Sequence, residues 1–327
     1  KRTLGLLGKE NLNYSPGTKL KDLTVSDIQM LEILKAISYN SDIIIMDEPT
    51  SAITQNEIQV LFKKIDELRN RGACILYISH KMDEIFEIAD EITVFRDGNV
   101  VDSRPKEDYD METIISQMVG RKLENNYPKE DVELGEIILE VKGLTSKGKF
   151  EDISFYVRKG EIVGFAGLMG AGRTEVMRSL FGLDGYKSGN IIIKGEEAGI
   201  KNVRTSIDKK MVMLSEDRRR YGIVPIRSVK ENVSLSSLKR FIKGKRLDLE
   251  EELKTVTNIC EKMNVQTTGL DTPVETLSGG NQQKVVLAKW MITDPDILIL
   301  DEPTRGIDVG AKYEIYKLMM ELAKKEK

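Results

Sequence analysis

One glycine-rich turn carries residue types that suit the binding of phosphate groups. It consists of Gly167, Leu168, Met169, Gly170, Ala171, Gly172, Arg173 and Thr174. The apolar segment 162–166 before it has the pattern of a strand, and 175–181 after it has the pattern of a helix. Glycines let backbone N–H groups close around phosphate oxygens, and the helix dipole favours an anion. The turn therefore predicts a phosphate loop whose threonine hydroxyl binds Mg²⁺; an ordinary glycine-rich turn is the alternative.

Arg173 stands where the phosphate-loop pattern has lysine. Lysine is a compact point charge, whereas the guanidinium of arginine is a planar fork with stricter geometry. We therefore expect nucleotide binding to survive at this loop and hydrolysis to be impaired.

Two pairs of adjacent carboxylates follow apolar strands. Asp47 and Glu48 follow the run 43–46, and Asp301 and Glu302 follow the run 297–300. An aspartate at such a strand end can hold Mg²⁺ through water, and the next glutamate can orient or deprotonate an attacking water. Capping of a following helix is the alternative role for each glutamate.

The carboxylate pairs belong to an internal repeat. The segment 23–29 is echoed by 277–283, and at the same spacing in each copy the sequence reads Asp-Glu-Pro-Thr. Each copy has a polar turn, a helix with apolar spacing and a buried strand. Strands alternating with helices predict an α/β fold built on a doubly wound, mainly parallel sheet.

The repeat predicts two units joined by an acidic linker bounded by proline and glycine. We place the first unit at 1–127, the linker at 128–136 and the second unit at 137–327. In the first unit a helix at 57–69 and a strand at 73–79 lead to His80; in the second, strands are predicted at 137–141 and 153–157. The chain begins without methionine and ends within a helical pattern, so we expect both units to be truncated.

Composition narrows the class of protein. Lys and Arg total 50 against 53 Asp and Glu, which argues against direct nucleic-acid binding. The longest apolar runs are strand-length, well short of the roughly 20 residues of a spanning helix. Two cysteines and one histidine supply neither a disulfide framework nor a zinc site, and they favour the cytosol.

Taken together, these motifs resemble the ATP-binding cassette family. Residues 167–174 are similar to its Walker A loop, 297–302 to its Walker B strand, 277–283 to its signature and His80 to its switch histidine, while Glu216 stands at the glutamine-loop position. The forms of 172–174, 215–222 and 305–310 resemble the tandem ATPases of bacterial ribose, galactose and methyl galactoside importers. The resemblance implies a P-loop NTPase fold with a helical signature subdomain and an antiparallel β subdomain.

The resemblance also implies two composite ATP sites. The first would use Asp47, Glu48 and His80 with the signature residues Ser278, Gly279, Gly280 and Gln283. Its own Walker A loop is expected upstream of residue 1. The second would use 167–174, Asp301 and Glu302 with 23–27, where Val25 and Ser26 replace the signature glycines. Thus Glu48, His80 and Glu302 would be catalytic, and Thr174, Asp47 and Asp301 would hold Mg²⁺. Asp308 would bridge the two cassettes.

The function implied is an ATPase that powers monosaccharide import, with one competent and one degenerate site. It would lie at the cytoplasmic face of the membrane under two permease subunits, fed indirectly by a periplasmic or extracellular sugar-binding protein. This chain alone is expected to turn over ATP weakly or not at all.

One alternative is a soluble tandem cassette protein of the ribosome or DNA, which would favour a basic linker and intact Walker A lysines. Another is a regulatory module that binds nucleotide without hydrolysis, against which Glu48 and Glu302 argue.

Overall fold

The computed structural model describes residues 8, 15–39, 41–50, 53, 55–96, 98–120, 130–168, 170–307 and 309–325. The chain divides into two compact units, Lys1–Leu123 and Glu124–Lys327. Residues 121–129 lie outside the described residues, so the predicted boundaries at 127 and 136 stay predictions.

In the first unit, helices and strands alternate before a hairpin and a final helix. The elements are α1 (Val25–Ile37), β1 (Ile43–Asp47), α2 (Gln55–Asn70), β2 (Cys74–Ile78), α3 (Met82–Ile88), β3 (Glu91–Arg96), β4 (Asn99–Pro105) and α4 (Met111–Val119). β1 pairs with β2 in parallel, and β3 pairs with β4 antiparallel. The predicted helix and strands before His80 are therefore present, with ends shifted by one or two residues.

The core of this unit lies on one face of the parallel pair. Ile44 and Met46 of β1 pack with the apolar stripe of α2, which includes Leu61 and Ile65. The alternate residues Ile43 and Ile45 are exposed on the opposite face. Because side chains alternate between the two faces of a strand, this pattern fixes which face of β1 packs against α2 and so how the carboxyl end of β1 is oriented.

The second unit contains an antiparallel sheet, a parallel strand pair and a group of helices. Its strands are β5 (Ile137–Ser146), β6 (Phe150–Arg158), β7 (Ser188–Ile193), β8 (Glu196–Glu197), β9 (Met211–Leu214), β10 (Ile242–Lys243), β11 (Arg246–Leu247) and β12 (Ile297–Leu300). Its α-helices are α5 (Arg173–Leu180), α6 (Val203–Asp208), α7 (Val229–Ser234), α8 (Leu249–Lys262), α9 (Gly279–Met291) and α10 (Val309–Ala323). A π-helical turn occupies Arg218–Gly222, and 3₁₀ turns in the two units occupy Leu20–Asp22, Lys106–Asp108, Leu235–Phe241 and Val274–Thr276.

Two apolar cores hold this unit together. The antiparallel sheet, with strand order β6-β5-β7-β8, packs its buried residues with α5 and with the parallel pair of β9 and β12. A second core gathers α7, α8, α9 and α10 around side chains such as Val233, Val256 and Val285. The antiparallel and helical parts expected from the resemblance are both present.

The prediction of a strand at 162–166 is wrong. The structure assigns no ladder to residues 161–168, and the parallel pairs among the described strands have two members each. Ile162 and Phe165 are 50% and 41% exposed, and the Phe165 ring packs edge-on against Phe155 of β6 at 4.9 Å. Phe165 therefore packs on the antiparallel sheet instead of lying between two parallel strands.

The internal repeat is visible in the local geometry. Thr24 caps α1 and forms a reciprocal capping box with Asp27, while Ser278 caps α9 by accepting from the backbone N–H of Asn281. Each capped helix is followed by a strand that ends at an Asp-Glu pair. Hydroxyl caps fix both helix starts because they satisfy N–H groups that have no partner inside the helix.

A buried lysine ties α9 to the π-helical turn. Lys289 is 7% exposed, and its ammonium donates to the carbonyl of Gly222 at 2.5 Å and lies 4.8 Å from the centre of the Trp290 ring. Burial lowers the pKa of Lys289 to about 8. The folded protein therefore releases this proton at a lower pH than the unfolded chain.

We expect the free energy of unfolding of the second unit to rise between about pH 8 and pH 10.5, because the unfolded chain binds more protons there; a shift of this size corresponds to about 3 kcal/mol. Lys289→Met should lose this rise, whereas Lys254→Met on the exposed face of α8 should keep it. Urea unfolding followed by the fluorescence of Trp290, the single tryptophan, measures the difference. Equal pH dependence in both variants would contradict the assignment.

Candidate functional site

Both Asp-Glu pairs share an unusual backbone conformation. Glu48 has φ +47° and Glu302 has φ +45°, in the left-handed region that side chains rarely adopt. The backbone N–H of Glu48 donates to the carbonyl of Ile78, and that of Asp301 donates to the carbonyl of Leu214. At each of these two strand ends the backbone thus turns sharply while it is still hydrogen-bonded to the neighbouring strand. Non-glycine residues are held in this region at a cost of about 1–3 kcal/mol, and such strain clusters at functional sites.

In the first unit, Glu48 and His80 form a direct hydrogen-bonded pair. Oε1 of Glu48 accepts from the backbone N–H of His80 at 3.0 Å and lies 2.7 Å from its ring Nδ1. A carboxylate offers acceptors and no donor, so this contact favours, for a neutral ring, the tautomer with its hydrogen on Nδ1. Oε2 of Glu48 is buried and has no hydrogen-bond partner among the described residues. One oxygen is therefore fixed and the other is free to accept a proton or a water.

Two glycines of the predicted phosphate loop have positive φ angles. Gly170 and Gly172 have φ +78° and +88°, and a Cβ at Gly172 would lie 3.0 Å from the carbonyl oxygen of Lys149. α5 begins directly afterwards at Arg173, two residues earlier than predicted. Leu168 is 85% exposed, and Met169 lies outside the described residues. Backbone N–H groups near a helix start of this kind suit a bound anion.

Arg173 faces the carboxylate of the second strand end. Its Nη2 lies 3.7 Å from Oε1 of Glu302, and both side chains are partly exposed. Oδ2 of Asp301 is buried without a hydrogen-bond partner among the described residues. Thr174 is the second residue of α5. The phosphate loop and the second carboxylate pair therefore lie in one place within this unit.

The second unit suits Mg²⁺ held by few protein ligands. Within the described parts of the chain, no three His, Cys, Asp or Glu side chains cluster so as to hold a metal alone. Mg²⁺ commonly uses one or two protein oxygens and completes its shell with water and phosphate oxygens. The unsatisfied oxygen of Asp301 and the hydroxyl of Thr174 fit that pattern.

The predicted signature residues lie at the start of α9. Ser278 is its N-cap, and Gly279 lies beneath the guanidinium of Arg218, since a Cβ there would be 2.7 Å from Nη2. Gly280 and Gln283 are buried, and the Gln283 amide donates to the carbonyl of Pro303 at 2.8 Å. The side chain of Gln283 is therefore engaged inside the unit, whereas Ser278 and Gly279 stand at the helix start.

Arg218 links three segments of the second unit. It donates to the carbonyls of Arg305 at 2.9 Å and Gly306 at 3.2 Å, and its Nε lies 3.5 Å from Oε1 of Gln282. Burial, then the nearby charge of Arg219, lowers the pKa of Arg218 from its ordinary value. Glu216, at the predicted glutamine-loop position, forms an ion pair with Arg305. The sequence showed Arg218 as one of three successive arginines, and the pattern alone could not single it out. Asp308 lies outside the described residues.

Comparisons with known proteins agree with this geometry. A sequence model of the family described as "ABC transporter" matches residues 150–305. The chain is 48% identical over 325 residues to the galactose/methyl galactoside import ATP-binding protein MglA of Clostridium tetani, covering 98% of this chain and 64% of that protein. It is 46% identical over 317 residues to the ribose import ATP-binding protein RbsA of Bacillus subtilis, covering 97% of this chain and 64% of that protein. The chain thus spans less than two thirds of the length of these curated relatives.

Two solved structures share the fold. An ATP-binding cassette in a dimeric post-hydrolysis state with ADP and Pi superposes with a TM-score of 0.50 and 20% identity, covering 57% of this chain and 84% of that one. The RNase-L inhibitor superposes on 100% of this chain and 61% of its own with a TM-score of 0.64 and 18% identity. At these identities the likeness concerns the fold.

Together with these two superpositions, the glycine-rich turn that opens α5, the Asp-Glu strand end beside it and the hydroxyl-capped α9 give the chain the fold of the ATP-binding cassettes. Over residues 150–305 the chain is similar to the ABC transporter family, and the curated relatives it matches are named as sugar-import ATP-binding proteins.

His80 is the single histidine, so its ring gives one set of nitrogen resonances. In ¹⁵N-labelled protein we expect the wild-type ring to show the Nδ1–H tautomer, because Glu48 accepts from that nitrogen. Glu48→Gln should shift the ring toward the Nε2–H tautomer, while Glu67→Gln on the exposed side of α2 should leave it unchanged. An Nε2–H ring in the wild type would contradict the pairing.

Gly172→Ala should distort the phosphate loop, because alanine is strained at φ +88° and its Cβ would press on the Lys149 carbonyl. We expect a loss of affinity for a non-hydrolysable ATP analogue of at least about tenfold, or about 1.4 kcal/mol, by calorimetry. Gly164→Ala is the matched control, since a Cβ there meets nothing within 4 Å. Equal affinities in the two variants would argue against a nucleotide at this loop.

Proposed function

We propose that this chain is part of an ATP-hydrolysing protein that powers the import of a monosaccharide of the ribose, galactose or methyl galactoside type. The observation that carries the proposal is the Glu48–His80 pair, in which one carboxylate oxygen is fixed and the other is unsatisfied. Such a carboxylate can accept a proton from an attacking water. The names of the curated relatives support the sugar-import role and do not favour a ribosome- or DNA-associated protein.

Different residues of the chain take different roles in binding and hydrolysing ATP. Glu48 orients and deprotonates the water through Oε2, and His80 holds Oε1 through Nδ1–H while its Nε2 is free to accept a hydrogen bond. At the second strand end, Glu302 occupies the equivalent place. The loop 167–174 binds ATP phosphates through backbone N–H groups and Arg173. Thr174 and Asp301 would hold Mg²⁺ there, and Asp47 would hold it in the first site; the ion would neutralise charge on the phosphates.

We further propose two tandem cassettes that form one competent and one degenerate site. The competent site would combine Asp47, Glu48 and His80 with Ser278, Gly279, Gly280 and Gln283 of the second unit. The degenerate site would combine the Arg173 loop, Asp301 and Glu302 with the segment 23–27, which lacks the signature glycines. The matching caps and strand ends of the two copies support a tandem origin. Glu216 would reach nucleotide or permease from the glutamine-loop position.

The partners follow from the same proposal. The protein would bind two membrane permease subunits at the cytoplasmic face and receive sugar indirectly from a periplasmic or extracellular binding protein. Across the described residues, the helices are too short or too polar to cross a membrane. Attachment to the membrane is therefore assigned to the permease.

Calorimetric titration with Mg²⁺ and a non-hydrolysable ATP analogue tests the binding part of the proposal. We expect the wild-type chain to bind and Arg173→Ala to bind at least about tenfold more weakly, because a charged contact to phosphate is lost. Arg204→Ala removes an exposed arginine from α6 and should bind like the wild type. A folded wild-type chain that takes up no analogue would refute nucleotide binding by the second unit.

A further inference from the structure

A second carboxylate, Glu84, lies behind the Glu48–His80 pair in the first unit. Glu84 is the third residue of α3 and is 6% exposed. Its Oε2 accepts from the Thr50 hydroxyl at 2.8 Å and from the Tyr77 hydroxyl at 2.8 Å, and it lies 3.4 Å from the Ser79 hydroxyl. A buried carboxylate is stable when donors surround it in this way.

Lys81 completes the group. Its ammonium lies 3.0 Å from Oε1 of Glu84 and donates to both the carbonyl and the hydroxyl of Thr50 at 3.0 Å. Burial, followed by the hydrogen bond to Glu84, raises the pKa of Tyr77 well above its usual range, so the phenol stays a donor. All of these partners of Glu84 come from two short segments, the one that carries Thr50 and the one at 77–81.

Those two segments are the ones that carry the reacting pair. Thr50 follows Glu48 by two residues, and Tyr77, Ser79 and Lys81 flank His80. One segment continues from β1 and the other from β2. The last residue pair of the ladder is Asp47 with Ile78, and the last backbone hydrogen bond between the two strands runs from the N–H of Glu48 to the carbonyl of Ile78. Beyond that point side chains must keep the two chain segments together.

We propose that Glu84 is a positioning residue that clamps the chain after β1 to the chain after β2 and so holds His80 in hydrogen-bonding reach of Glu48. The clamp works through charge and geometry together: an ionised acceptor on α3 draws hydroxyl donors from both segments, and Lys81 bridges them. The proposal deepens the proposed function, on which its catalytic meaning rests, but the clamp itself is a property of the chain without nucleotide.

The ¹⁵N spectrum of His80 in the full 327-residue chain, recorded at one pH without nucleotide, tests the clamp. Glu84→Gln removes the charge at nearly constant volume. We expect the ring to change from the Nδ1–H tautomer to a mixture of the two tautomers. Glu87→Gln, an exposed carboxylate on the same helix, is the matched control and should leave the ring unchanged.

Two milder variants keep the test decisive if Glu84→Gln does not fold. Tyr77→Phe and Thr50→Val each remove one donor from Oε2 and should give smaller changes in the same direction, larger when combined. A folded Glu84→Gln, or a folded pair of milder variants, with the wild-type tautomer would overturn the proposal. If the tautomer changes while the wild-type chain binds no ATP analogue, the clamp stands and the proposed function fails.

Discussion

Parallel pairing of β1 with β2 is the constraint on which the first site depends. In a parallel pair both carboxyl ends emerge at the same edge, and the register here places Asp47 opposite Ile78. Glu48 and His80 are the next functional residues along each strand, so the parallel register brings them together. The left-handed backbone at Glu48 then turns its side chain toward His80 while its N–H still bonds to Ile78. A slip of one residue in this register would turn the side chains of one strand to the opposite face and separate the pair.

The two glutamates share a backbone conformation and differ in their surroundings. Glu48 faces the backbone N–H and the ring Nδ1 of a histidine, whereas Glu302 faces an arginine that stays charged. The Arg173–Glu302 contact is long and partly exposed, so water screens it and it contributes little to stability. A bound phosphate would compete with Glu302 for the same guanidinium. The asymmetry between the sites therefore lies in the side chains that meet the carboxylate and not in the fold that presents it.

Local sequence patterns predicted those features that local interactions determine. A helix after each polar turn and a strand before Asp47 and before Asp301 were predicted and are present, and the structure adds the hydroxyl caps at Thr24 and Ser278 that start the two helices. The strand at 162–166 was predicted from the same kind of apolar run and is absent, because Phe165 packs on Phe155 and ladder partners are a matter of tertiary structure. Glu84 gave no signal either: in the sequence it is one acidic residue of an amphipathic helix, and its burial becomes evident when Thr50 and Tyr77 surround it.

Two cationic side chains, the partly buried Arg218 and the buried Lys289, join the separate motifs of the second unit. Arg218 connects the turn after Glu216 to the carbonyls of Arg305 and Gly306 and packs on Gly279, while Lys289 fixes the far end of the same turn at Gly222. Both ends of Arg218–Gly222 are therefore attached to α9 or to the loop after β12. Removing the Lys289 ammonium would leave the buried carbonyl of Gly222 unsatisfied, which costs about 1–3 kcal/mol, so this turn is held by more than its own backbone bonds.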